Sequence, residues 1–184
     1  MINTNYKKNK LQIITFIILG ALPLFMDSYY LDNISYFMCW TFISLGLAVI
    51  WGMGGILSFG QTAFFGLAGY GFSVISINFL GVAGVSLWSI VLALILTGIF
   101  GLIVGYFLFY GGIYDVFVGI VTLAITLVLE TFMQQTAGPE YAIGTARLNG
   151  FNGMQGMPTI GFESIPFGLV EGVTQYYFIL ILSL

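Results

Sequence analysis

Between Asn33 and Tyr114 the chain carries no Asp, Glu, Lys or Arg, an uncharged stretch of 82 residues. At about 1.5 Å of rise per helical residue and about 30 Å of bilayer hydrocarbon, such a stretch must cross a membrane several times, with short uncharged turns between the spans. The composition of the whole chain agrees: 59% of its residues are hydrophobic, 6% are charged and the mean hydropathy is +1.05. A soluble domain carries about a quarter charged residues. The sequence therefore predicts an all-α, polytopic transmembrane helix bundle.

The net charge of −3 rests on four basic and seven acidic residues, so their placement matters more than their sum. Lys7, Lys8 and Lys10 precede the first apolar run, which by the positive-inside rule puts the N-terminus in the cytoplasm. This basic start and the run Leu11–Phe25 also resemble a secretory signal. No small-x-small site follows, however, and Met26–Tyr30 is a poor processing site, which favours a signal anchor. Cys39 stands alone, so there is no disulfide framework within the chain, and it is expected to be buried and inert. With no His and no second Cys, no metal site of the usual transition-metal type and no Ser-His-Asp or Cys-His relay is expected.

Hydropathy divides the chain into about six spans. The first, Leu11–Met26, is interrupted by Gly20 and Pro23; Asp27 and Asp32 mark an outer turn, where Tyr29, Tyr30 and Tyr36 form an interfacial aromatic belt. Ile34–Met53, Thr62–Leu80, Val85–Tyr110 and Val116–Gln135 follow, the last two joined by an inner turn at Gly111–Asp115. Residues 136–172 hold three of the four prolines and form the expected extracytoplasmic loop, either a lid over a pathway or a connector. Tyr176–Leu184 begins a sixth span and stops after nine residues. A span needs about twenty, so residues 1–184 are expected to be a single transmembrane domain truncated at its C-terminus.

Two constellations carry the functional argument. Within Trp51–Phe79, the small residues Gly60, Ala63, Gly66, Gly69, Ser73 and Ser76 recur at helical spacing on one face. Such a face lets a neighbouring helix approach closely, and it also suits the border of a solute pathway. Just before it, Gly52, Gly54 and Gly55 loosen the backbone, so a bend, break or turn is expected between Gly52 and Gly60. Gly101 and Gly105 form a small-xxx-small packing pair. The second constellation is polar: Thr122, Thr126, Glu130 and Gln134 follow one another at intervals of four and share a helix face. A carboxylate within a span marks a functional site by default, although Glu130 is close enough to the surface to reach lipid headgroups.

The glycine cluster has no G-x-G-x-x-G and no preceding strand, and no lysine follows a glycine as a P-loop requires. Any ATP that drives this protein is therefore hydrolysed by another chain. The spans also lack the charged chains of proton-coupled carriers and voltage sensors. A lining of Gly, Ser, Thr, Gln and aromatic side chains suits a neutral or zwitterionic small solute.

Ile50–Tyr70, IWGMGGILSFGQTAFFGLAGY, closely resembles the signature of the inner-membrane permease subunits of branched-chain amino-acid ABC importers. Val118–Ala124 is similar to their fifth-span motif. Leu148–Gly153, ending at Met157-Pro158, is similar to their outer-loop motif and contains Asn149, Gly150, Asn152 and Gly153. The three motifs occur in the family's order across about residues 34–160. Two departures stand out: Gln61 where the family commonly has His, and Tyr110-Gly111-Gly112 where it has a basic residue. Gln61 forms hydrogen bonds but does not titrate near neutral pH, which excludes a protonation role. The family's loop that docks on the ATPase would follow the sixth span.

The resemblance implies a multi-pass permease subunit of the bacterial plasma (inner) membrane. Its partners would be a second permease subunit, two ABC ATPase subunits holding ATP and Mg²⁺, and a periplasmic solute-binding protein that delivers Leu, Ile or Val. It implies no cofactor on this chain, no catalytic residue and no nucleic acid. Ser58, Gln61, Thr62 and Gly66 are expected near the pathway, with Thr122, Thr126 and Glu130 on a facing helix. Gly60, Ala63, Gly69, Gly101 and Gly105 are expected to pack helices. Urea and short-amide permeases share a similar first motif and remain an alternative, as does a stand-alone channel or secondary carrier. A membrane enzyme is a distant third, since acid-base equipment is almost absent.

Overall fold

A computed structural model describes residues 2–158 and 172–183. Helix α1 (Ile2–Ala21) runs into a 3-10 turn (Leu22–Leu24) and is followed by α2 (Ser28–Gly54), α3 (Gln61–Asn78), α4 (Val85–Tyr110) and α5 (Val116–Gln134). A short antiparallel hairpin of β1 (Ala142–Ile143) and β2 (Ala146–Arg147), a 3-10 turn (Gly150–Asn152) and α6 (Val173–Leu182) complete the described chain. Among the described residues the fold is all-α apart from that hairpin. Among the described residues, α2, α4 and α5 are long and apolar enough to cross a membrane, whereas the apolar parts of α1 and α6, Ile13–Leu24 and Val173–Leu182, are shorter. Helix α3 has 18 residues and so covers about 27 Å, but Gln61, Thr62, Ser73, Ser76 and Asn78 dilute its apolar character.

Several boundaries differ from the sequence expectation, among them the first helix, which is Ile2–Ala21 and not Leu11–Met26, and the last, which starts at Val173 and not at Tyr176. Helix α2 begins at Ser28, so Tyr29, Tyr30 and Asp32 lie in its first turns and not in a turn between spans. The expected break between Gly52 and Gly60 is shorter: Gly52 and Gly54 remain helical, and the non-helical stretch is residues 55–60. Gly55, at φ +67°, ends the helix in the left-handed conformation that glycine adopts without a Cβ penalty. The part of the expected outer loop from 159 to 171 lies outside the described residues.

The chain falls into two compact units. In the first, Met1–Phe42 with Val170–Leu184, the fully buried Leu31 and Tyr176 pack with Leu180, and Phe16, Leu19 and Ile34 close around them. Pro23 explains a polar contact in this apolar core. The Leu19 carbonyl would take the N–H of residue 23 in a continuous helix, and proline has none. The Tyr176 hydroxyl donates to that carbonyl instead, at 2.6 Å, and the Tyr177 hydroxyl donates to the Gly20 carbonyl at 3.0 Å. A backbone acceptor left unpaired in an apolar setting is costly, so the two tyrosines of α6 complement the proline of the first span.

The second unit, Ile43–Leu169, is built on the α3/α4 pair. Its turn needs Gly81 and Gly84, at φ +96° and +71°. Small side chains bring the two helices together: a Cβ on Gly71 would lie 3.5 Å from that of Ala93, and Ser73, Ser76, Ser86 and Ser89 are buried. Phe64 meets Phe100 edge to face, with ring centroids 5.8 Å apart. At the end of α3, the Asn78 amide donates to the Val74 and Ile143 carbonyls, each at 2.8 Å, and its oxygen accepts from the Thr145 N–H at 2.9 Å. One side chain thus joins α3 to the hairpin.

Candidate functional site: a cavity between α3 and α5

The non-helical stretch 55–60 is held against one face of α5. Non-helical backbone in a membrane protein has to find partners in protein or in a water-filled cavity. Here the Phe59 N–H donates to Thr122 Oγ1 at 3.1 Å, while the Thr126 hydroxyl lies within 2.9 Å of the Thr122 carbonyl and 3.2 Å of the Phe59 carbonyl. Thr122 donates its own proton to the Val118 carbonyl at 2.8 Å. Close approach requires Gly119, because a Cβ there would stand 2.9 Å from the Leu57 carbonyl oxygen. Ser58 is buried beside this contact, and its hydroxyl accepts from the Gly60 N–H at 3.3 Å. Ser58 and Thr122 therefore brace the segment without lining the cavity next to it.

That cavity has a volume of about 390 Å³. Its walls come from three segments of the second unit: Thr62, Ala63, Gly66, Leu67 and Tyr70 of α3; Thr126, Leu129, Glu130, Met133 and Gln134 of α5; and Gly150 with Phe151 of the loop. This is the size of a small-molecule site, mostly apolar with a few convergent polar groups. Gln134 Nε2 donates to Glu130 Oε1 at 3.0 Å. The four-residue polar stripe of α5 thus divides its work: Thr122 and Thr126 hold the broken segment, while Thr126, Glu130 and Gln134 face the cavity.

Of the residues expected near a pathway, Thr62, Gly66, Thr126 and Glu130 lie together on the cavity wall. Gln61 does not; its side-chain oxygen would stand 3.5 Å from a Cβ on Gly46 of α2. The small-residue face of α3 is not uniformly packed. A Cβ on Gly60 would meet Thr122 at 3.3 Å and one on Gly101 would meet the Phe64 ring at 3.5 Å, Ala63 is buried, and Gly66, Gly69 and Gly105 have nothing within 4 Å of such an atom. Gly71, absent from the sequence reading, brings α3 close to Ala93 of α4, 3.5 Å from a Cβ placed on it.

The outer-loop motif shapes the cavity's remaining wall. Asn149 adopts a left-handed conformation at φ +62°, and Asn152 and Gly153 close the 3-10 turn through N–H bonds to the Asn149 and Gly150 carbonyls at 3.1 and 3.2 Å. Gly150 is buried, and a Cβ on it would stand 2.8 Å from Ala137, so only glycine lets Phe151 reach the cavity. Leu67, Tyr70, Leu129, Met133 and Phe151 were not singled out in the sequence. Tyr70 lies four residues beyond Gly66, and Leu129 and Met133 lie three and seven beyond Thr126, so extending each polar face by its helical neighbours would have found them.

Membrane-length apolar helices, with a broken segment braced by hydroxyls beside a cavity of small-molecule size, define a membrane-embedded helical protein. The chain belongs to the family described as branched-chain amino acid transport system / permease component, whose model matches residues 29–184. Its members are permease components of ABC transporters, which work with ATPase and other subunits. No curated protein and no solved structure matches the chain.

Proposed function

We propose that this chain forms the translocation pathway of a bacterial inner-membrane ABC importer for branched-chain amino acids. In this reading it crosses the membrane about six times from a cytoplasmic N-terminus, and residues 136–172 lie outside. A periplasmic binding protein delivers Leu, Ile or Val, and a second permease subunit completes the pathway. Two ATPase subunits bind ATP and Mg²⁺, and their closure drives alternating access. The observation that carries the reading is the α3/α5 cavity, where Thr62, Gly66, Thr126 and Glu130 meet beside a broken membrane segment. Broken segments bordering a central cavity are a recurring way for transporters to present polar groups to a solute at membrane depth.

The test is uptake of radiolabelled leucine, isoleucine, valine and urea into proteoliposomes holding the assembled subunits. Leucine uptake is expected to need ATP and to vanish when the ATPase subunits are made hydrolysis-deficient. Uptake indifferent to ATP would instead identify a channel or secondary carrier, and uptake of urea alone an amide permease.

A further inference from the structure

Among the described residues, Glu130 is the only carboxylate on the cavity wall, and no Lys or Arg accompanies it there. A carboxylate on a membrane helix is expensive unless it faces protein or water, so this position calls for a physical reason. The bond from Gln134, at 3.0 Å, orients one carboxylate oxygen but leaves the charge in place, since an amide is neutral. Around it the wall offers the apolar surfaces of Leu67, Leu129, Met133 and Phe151. A guest that completes this arrangement brings a positive charge with N–H donors and an apolar body. A primary ammonium supplies three donors, and its hydrogen bonds to a carboxylate are about twice as strong as neutral ones. A urea or carboxamide supplies donors without charge.

We propose that Glu130, steadied by Gln134, accepts the ammonium group of the transported solute and so selects amino acids with apolar side chains over uncharged amides. This assignment rests on the permease reading above. Glu130 is a specificity-determining residue in it and Gln134 a positioning residue.

The experiment uses the assembled transporter in lipid nanodiscs, with no binding protein, so that selectivity belongs to the membrane subunits. Bound radiolabelled leucine is displaced by leucine or by 4-methylpentanoate, the same molecule without its ammonium. The wild type is expected to prefer leucine by about tenfold or more, the scale of one charge-assisted hydrogen bond. Glu130→Gln, which keeps the size and removes the charge, is expected to bring the two ligands within about twofold of each other, whereas Glu130→Asp keeps the preference. Gln134→Leu is expected to reduce it partway. A wild type that binds both ligands equally, or binds no leucine, overturns the proposal without any variant, and so does a Glu130→Gln transporter with the wild-type preference. If ATP-driven leucine uptake into proteoliposomes persists in those cases, only the Glu130 assignment falls; if the wild type takes up no leucine there, the branched-chain amino-acid reading falls with it.

Discussion

Thr122 uses one hydroxyl twice, accepting from the Phe59 N–H and donating to the Val118 carbonyl. Its partners explain why threonine and not valine stands there: the two are nearly isosteric, but only threonine can satisfy a backbone donor outside a helix. Thr122→Val therefore leaves the Phe59 N–H unpaired, and we expect it to lower stability by about 1–3 kcal/mol, while Thr122→Ser loses less than half as much. Thermal unfolding of the purified protein in nanodiscs measures the difference. Equal losses for Val and Ser would show that the methyl group and not the hydroxyl matters. The four-residue spacing of Thr122, Thr126, Glu130 and Gln134 was legible in the sequence. Which of them would meet backbone and which a cavity was not, because that depends on where residues 55–60 lie along α5.

At the level of elements, Asn78 and Ser73 of α3 attach the described part of the loop to the bundle. Asn78 sits at the last position of α3 and bonds both sides of the hairpin turn, and Gly144, at φ +64°, lies so close that any Cβ would overlap the Asn78 amide. A second attachment lies near the end of the loop's described part, where the Ser73 hydroxyl donates to the Met157 sulfur at 2.7 Å. These contacts make the described part of the loop a fitted wall. Asn78→Ala is expected to free the hairpin and raise amide hydrogen exchange across residues 142–147 by about tenfold, corresponding to the loss of one or two net hydrogen bonds. Unchanged exchange would mean that β1/β2 pairing alone holds the turn. Sequence reasoning located the loop and its glycine-asparagine motif, yet it placed no strand there. Two-residue strands carry almost no periodic signal, and this pair is stabilised by an asparagine 65 residues away in the chain.

For the molecule as a whole, the cavity predicts that transport and folding can be separated. Gly66 lies on its wall, and a Cβ added there would meet nothing within 4 Å. Gly66→Leu is therefore expected to insert and assemble normally while filling part of the cavity and reducing leucine uptake by about tenfold or more, the effect of losing at least 1.4 kcal/mol of solute binding. Gly119→Leu should behave differently, since its Cβ would collide with the Leu57 carbonyl and damage the fold itself. Uptake assays beside size-exclusion profiles of both variants check this. Wild-type uptake by Gly66→Leu would remove the cavity from the pathway.

The uncharged stretch from Asn33 to Tyr114 determined by itself that the chain is a helical membrane protein, because lipid tolerates so few charges and so few backbone solutions. Three ordered motifs determined the family, since each fixes residue types over a short, local stretch. The tertiary structure alone decided how the glycine-rich break ends, which small residues pack and which stay open, and that Tyr176 answers Pro23 across more than 150 residues. Those outcomes depend on which backbone groups lack a partner and which side chain arrives to supply one. Spacing along one helix shows a shared face; only the packed neighbour decides whether that face of α3 touches another helix, as at Gly71, or opens on a cavity, as at Gly66.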